Sequence, residues 1–219
     1  MGKIKQILKS SDIADMGIGA MIVFIAMVLV AGIAASVLVQ TANKLEIQAM
    51  TTGDETINQV ATGLKVSGIY GHTTGTSIDL AYITVEPRAG AGDIDLSKAY
   101  IEISNSVQKC VLTYGGSYTA KSAIAGDMFN GGAGAYTLTA KQFGVMVLED
   151  ADGSVVSATP VANLGDKVAL TFDATQCFGT GLPVRTDVWG IVQPEEGSSG
   201  AFAFTTPASF AGSAVFSLY

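Results

Sequence analysis

The sequence predicts an α+β protein: a long hydrophobic N-terminal α-helix followed by an all-β, immunoglobulin-like sandwich or barrel head domain. Three observations carry this. No charged residue stands between Asp15 and Lys44, and the 22 residues Ile18–Val39 are almost purely apolar or small. The first proline is Pro87, so nothing interrupts a helix before the head. From Val66 onward the apolar residues alternate with polar ones between glycine-rich turns, the period-two pattern of half-buried strands.

The helical stretch is long enough, at ~1.5 Å per residue, to span the ~30 Å core of a bilayer. A short basic leader with Lys3, Lys5 and Lys9 precedes it. A secretory signal has an apolar core of only ~7–15 residues before its cleavage site. The longer run here is expected to stay in the mature chain, with any cut falling in front of it. Further along, Ile57, Val60, Ala61 and Leu64 recur at i, i+3, i+4 and i+7 and predict an amphipathic continuation. Glu46, Asp54, Glu55 and Lys65 are available to its other side. The organisation expected is a leader over 1–14, a hydrophobic helix over 15–65 and a β-rich domain over 66–219. Within the helix, Ala31, Gly32, Ala34, Ala35 and Ser36 allow close approach of neighbouring helices. Phe24, Ala31, Gly32, Ala35 and Leu38 are the expected packing residues.

In the head, Ala81, Ile83 and Val85 alternate with Tyr82, Thr84 and Glu86. Ala99, Ile101 and Ile103 alternate with Lys98, Tyr100 and Glu102, and Val168, Leu170 and Phe172 with Lys167, Ala169 and Thr171. Cys110–Tyr114, Phe202–Phe204 and Ala214–Leu218 add further strands. Gly90-Ala91-Gly92-Asp93, Gly115-Gly116, Asp152-Gly153 and Gly197-Ser198-Ser199-Gly200 supply turns. Ala120–Ala135, rich in glycine and alanine, reads as a long surface loop.

Composition excludes several classes. The net charge of −7, with 12 scattered Lys and Arg, argues against nucleic acid as a partner. A charged fraction of 14% with 26 glycines suits a secreted, turn-rich β protein better than a cytosolic enzyme. His72 is the only histidine, so neither a zinc set nor a Ser-His-Asp triad can be written; it reads as a polar residue at the junction beyond the helix. No phosphate loop or dinucleotide fingerprint is present, and no cofactor is expected. Asp150 and Asp152, in Glu149-Asp150-Ala151-Asp152-Gly153, are a weak metal candidate. A β-hairpin turn between Phe143–Leu148 and Val155–Ala158 accounts for them equally well. Cys110 and Cys177 are 67 positions apart. Outside the cell they form a disulfide or remain two buried thiols; pairing is not readable from sequence. If bonded, they are expected to join a sheet edge to a glycine-rich turn within one subunit.

The order of residues adds a resemblance. Gly17-Ile18-Gly19 leads into Ala20-Met21-Ile22-Val23-Phe24-Ile25-Ala26-Met27-Val28-Leu29-Val30-Ala31. Ala34-Ala35-Ser36-Val37-Leu38, Gly53-Asp54-Glu55-Thr56 and Gln59–Leu64 continue the pattern. Near the C-terminus Gly181–Thr186 and Phe204–Ser209 resume it. This resembles archaeal flagellins, the archaellins, over about 50 N-terminal residues continuously and the last third in patches. The resemblance implies a homopolymeric extracellular motility filament, the archaellum, with helices in the core and heads as a sheath. It implies a membrane-inserted precursor handled by a leader peptidase and a membrane assembly machinery. Carried over, the cut falls between Ala14 and Asp15, with Gly17 at the third mature position; Asp12-Ile13-Ala14 stands where the family has a base and a glycine. A bacterial type IV pilin carries Glu at the fifth mature position, where this chain has Gly19. No Asn-x-Ser/Thr sequon occurs, so no N-linked sugar is expected. The competing readings are a non-rotating, pilus-like adhesion subunit and a single-pass anchored surface protein.

Overall fold

The computed structural model describes residues 2–124, 126–129, 134–139 and 141–219, with side chains from Met16 onward. The chain forms two units, one up to Asp54 and one spanning Glu55–Tyr219.

The first element, α1, runs Gly2–Ala61. It ends earlier than the apolar spacing predicts, and Leu64 belongs to the head. The cause is local. A Cβ on Gly63 would lie 2.3 Å from Ser198 Oγ, and the Leu64 amide donates to the Ser198 carbonyl at 3.2 Å. The chain therefore leaves the helix to pair, and Leu64 becomes fully buried.

Twelve strands follow: β1 (Leu64–Thr73), β2 (Ser77–Pro87), β3 (Ile94–Asp95), β4 (Tyr100–Ser104), β5 (Lys109–Thr119), β6 (Gln142–Glu149), β7 (Val161–Ala162), β8 (Lys167–Asp173), β9 (Leu182–Pro183), β10 (Asp187–Gln193), β11 (Gly200–Thr205) and β12 (Val215–Ser217). One large sheet has the order β11-β10-β4-β5-β6-β8-β2-β1-β12, with β9 added beside β2; β3 and β7 pair separately. The alternation read from sequence sends Ile83, Ile101, Leu112, Leu170 and Phe202 into one core, where Ile69, Phe143 and Val192 join them. The Leu64–Ser198 hydrogen bond ties the start of β1 to the segment entering β11, although these strands lie far apart in the sheet order. The sheet is thus rolled upon itself, and its concave face holds the core.

Neighbours along the sheet are antiparallel, except that β5 and β6 are parallel. A parallel pair cannot be closed by a tight turn, so the chain must cross back over the sheet. The glycine- and alanine-rich segment is that crossover. Where a solvated loop was expected, Phe129 and Ala135 are buried and form a second, outer core with Tyr82, Met146 and Ala169. Residues 125 and 130–133 of the segment lie outside the described residues. Two hydrogen bonds seat the crossover: the Ala135 amide donates to Thr119 Oγ1 at 2.7 Å, and Thr171 Oγ1 donates to the Ala135 carbonyl at 2.6 Å. Burial pushes the Tyr82 phenol up to about 12, with Tyr70 beside it adding to the shift.

Two further expectations are corrected. No hairpin joins Phe143–Leu148 to Val155–Ala158. β6 pairs instead with β5 and β8, and Val155 makes a single bridge to Pro160. Cys177 lies in a short helix, α2 (Ala174–Phe178), not a turn; the Asp173 carboxylate caps it by accepting from the Thr175 and Gln176 amides. Cys110 sits on β5 in mid-sheet rather than at an edge. The two sulfurs are bonded, with the Cα atoms 5.7 Å apart.

A Cβ at position 144 would fall 2.0 Å from the Ala135 carbonyl oxygen. Gly144→Ala is therefore expected to lift the crossover and cost about 1–3 kcal/mol. Urea unfolding of the detergent-held chain, followed by near-UV circular dichroism, measures this; an unchanged midpoint would show that the crossover does not press on Gly144.

Closing a 67-residue separation stabilises the head by roughly 4 kcal/mol in the chain-entropy picture. Dissociated subunits on a non-reducing gel should run as monomers slightly faster than the reduced form. A disulfide-linked dimer, or two titratable thiols per chain, contradicts the intramolecular bond.

Candidate assembly interface

Every described side chain from Met16 to Val60 is exposed. Phe24 and Leu38, at 68% and 69%, are bare to the degree usual for a surface lysine. At ~100° per residue, Phe24, Ala31, Ala35 and Leu38 fall on one side of α1, and Gly32 lies about a quarter turn away. Ala42 extends the first side to the end of the uncharged stretch, and Leu45 and Ala49 carry it beyond. An adjacent strip made by Val23, Ala26, Met27, Val30, Ala31 and Ala34 forms a shallow groove lined almost wholly by apolar atoms. Four of the five predicted packing residues thus share a face, and the fifth, Gly32, lies on the flank opposite the groove. A Cβ at Gly32 would meet nothing within 4 Å. Such a surface can do one thing chemically: exclude water against lipid or against other apolar helices.

Where the helix meets the head, backbone groups form a clamp. The Thr62 amide closes the last helical turn on the Asn58 carbonyl at 2.8 Å. The Ser198 amide donates to the Thr62 carbonyl at 2.9 Å, and the Arg88 amide to the Gly63 carbonyl at 2.9 Å. Gly197, at φ +91°, brings the 197–198 turn against Thr62. A Cβ there would lie 2.1 Å from the Thr62 carbonyl oxygen, so both the backbone angle and the contact require glycine. Sequence reasoning took Gly197–Gly200 as a plain turn and missed this role. The repeated small-polar run was its only signal.

The other candidate residues lie elsewhere on the head. His72 is on β1, not at the helix junction; its Nδ1 lies 2.9 Å from Asp79 Oδ1 and its ring packs against Phe129 of the crossover. Asp150 and Asp152 are joined by Asp166, which sequence reading passed over; their carboxylate oxygens lie within 4.8 Å of one another. Asp166 is buried, and accepts from the Ala151 and Asn163 amides at 3.1 and 3.0 Å. Asp152 accepts from Asn163 Nδ2 at 2.6 Å and from the Ser154 amide. Hydrogen bonds from Asn163 and Ser154 hold its carboxyl below the ordinary range. Carboxylates so gathered are the donor type that a hard cation selects. The Asn163-Leu164-Gly165-Asp166 turn was the available clue to the third member.

Ala14 and Asp15 fall within the helical backbone, but their side chains lie outside the described ones. Comparison with known proteins covers most of the chain. The archaeal-type flagellin family pattern matches residues 14–204. This chain belongs to the archaeal-type flagellin family. It is similar to Flagellin B2 of Methanocaldococcus jannaschii, 43% identical over 208 residues that cover 95% of each chain. To Flagellin B1 of Methanococcus voltae it is 40% identical over 215 residues, covering 94% of this chain and 95% of that one. Among solved structures, the crystal structure of archaeal flagellin FlaB1 from M. jannaschii matches with a TM-score of 0.63 at 34% identity, over 72% of this chain and 97% of that one. The archaeal flagellum of Methanospirillum hungatei strain JF1 shares the fold at 16% identity, with a TM-score of 0.63 and 91% and 99% coverage. The flagellin thus combines the family's long apolar helix with a β-rich head. As a flagellin it is a filament subunit of the archaellum.

Proposed function

We propose that this flagellin is inserted in the membrane through α1, trimmed between Ala14 and Asp15 by a leader peptidase, and transferred by a membrane assembly machinery into an extracellular motility filament. The exposed apolar surface of α1 carries the reading. Its residues from Met16 to Val39 have no polar face to offer water, so in a mature filament they are buried by copies of the same helix. Lipid serves the same purpose before assembly. The heads, each closed around its own core, form the sheath, and the neck clamp passes load from helix to head. Rotation comes from a motor outside this chain.

Mass spectrometry of filament subunits tests the processing step. The mature chain is expected to begin at Asp15. A chain that begins beyond Val39 would remove the helix and with it the core.

Close helix contact is tested by Gly32→Leu and Ala35→Leu. Overpacking costs about 1–3 kcal/mol per site and recurs in each copy. The variants are expected to accumulate as membrane-held monomers with few filaments by electron microscopy, since neither position bears on the head. Normal filament yield from both would show that these positions meet no partner.

A further inference from the structure

The outer face of the sheet is covered by its own chain on one half only. The crossover shields the β6-β8-β2 half. On the β11-β10-β4-β5 half the outward side chains are exposed or half-exposed among the described residues. The register brings them together: Trp189 stands opposite Ala203, Ile191 opposite Ala201, and Tyr100 and Val111 flank Glu102 on the two strands beyond. Trp189, Val111 and Tyr100 are 48%, 45% and 38% exposed. Trp189 is the only tryptophan in the chain. Large aromatic residues left bare beside small ones on the outer face of the sheet mark an interaction site.

We propose that this face is the head-to-head contact of the sheath and is covered by a second copy of the chain, a reading that rests on the filament function above. Two arguments select that occupant. Four strands about 4.8 Å apart and some five residues long present roughly 300 Å², well below the ~800 Å² per partner of a stable free-standing interface. Such a patch cannot hold a freely diffusing protein. It suffices for a neighbour already held in place by the helices, where the second contact is made at high effective concentration. Charge makes the second argument. Copies trimmed of Lys3, Lys5, Lys9 and Asp12 are two charges more negative than the full chain's −7 and repel one another. The ionised groups in the middle of this face, Glu102 and Lys109, form an ion pair with each other. Asp187, at its margin, accepts a hydrogen bond from Thr205 Oγ1 at 2.6 Å. The middle of the face is therefore an electrostatically quiet place where like-charged heads can touch, with the Asp187 charge kept at the margin. In a helical polymer the contact is heterologous, this face meeting a different surface of the next copy.

The single tryptophan reports on the contact in the full chain. Acrylamide quenching of Trp189 emission is measured on intact filaments, checked by electron microscopy, and on the same filaments dissociated in detergent. Quenching is expected to be severalfold weaker in filaments, with emission shifted to the blue. A Trp189→Lys, Ile191→Lys double variant should still form its monomeric disulfide and near-UV spectrum, since both side chains point away from the core, and should give filaments that fragment under milder shear. Equal quenching in intact filaments and in dissociated subunits overturns the proposal. Shielding that is the same in both states also overturns it, because the cover then belongs to the subunit itself. Loss of filaments from the unmodified chain would instead contradict the assembly function.

Discussion

A helix that shows hydrocarbon in every direction has no stable single-copy state in water. That constraint governs the rest of the molecule. From Met16 to Val39 α1 lacks the polar face that lets ordinary surface helices stop at one neighbour. It must pass from one apolar environment to another without meeting solvent. Burial of its leucines, valines and isoleucines is non-directional, so it drives association without fixing geometry. Directional information has to come from the small residues, which set how near two helices can lie, and from contacts between heads.

The head is built to be independent of this. Its core is closed by the rolled sheet, and its outer face is half covered by a segment whose path the topology demands. The parallel β5–β6 pair forces a crossover, and the crossover turns a surface that would otherwise be wet into a second core around Phe129. At the neck, backbone hydrogen bonds from Ser198 and Arg88 replace side-chain packing. The junction thus fixes the chain path through its backbone, with Gly63 and Gly197 leaving the room that the close approach needs.

The sequence made the helix and the inward strand faces legible because both depend on local periodicity. Ile83, Ile101, Leu170 and Phe202 alternate as written and are buried as written. What it hid were consequences of distant pairing. Leu64 continues the helical stripe of Ile57, Val60 and Ala61, yet Ser198, more than a hundred residues later, pulls it into a strand. Tyr82, Ala169 and Thr171 have the spacing of outward residues and are nevertheless buried, because the crossover lies upon them. The crossover itself has no period to read; only Phe129 and Tyr136 within a run of glycine and alanine hinted that it packs. Asp166 escaped notice because it joins Asp150 and Asp152 through folding rather than through sequence spacing. For the assembly surface the apolar composition was plain, whereas the division of its residues among faces required the helix to be drawn.

The bond between Cys110 and Cys177 encloses the whole crossover, together with β6, β7 and β8. An extracellular polymer cannot replace a subunit in mid-length, so wear accumulates along it. A protease that nicks the chain anywhere between the two cysteines leaves both fragments tethered, and the strands on either side of the nick stay in register through their neighbours. Damage within this enclosed segment is thereby converted from loss of a subunit into a silent cut.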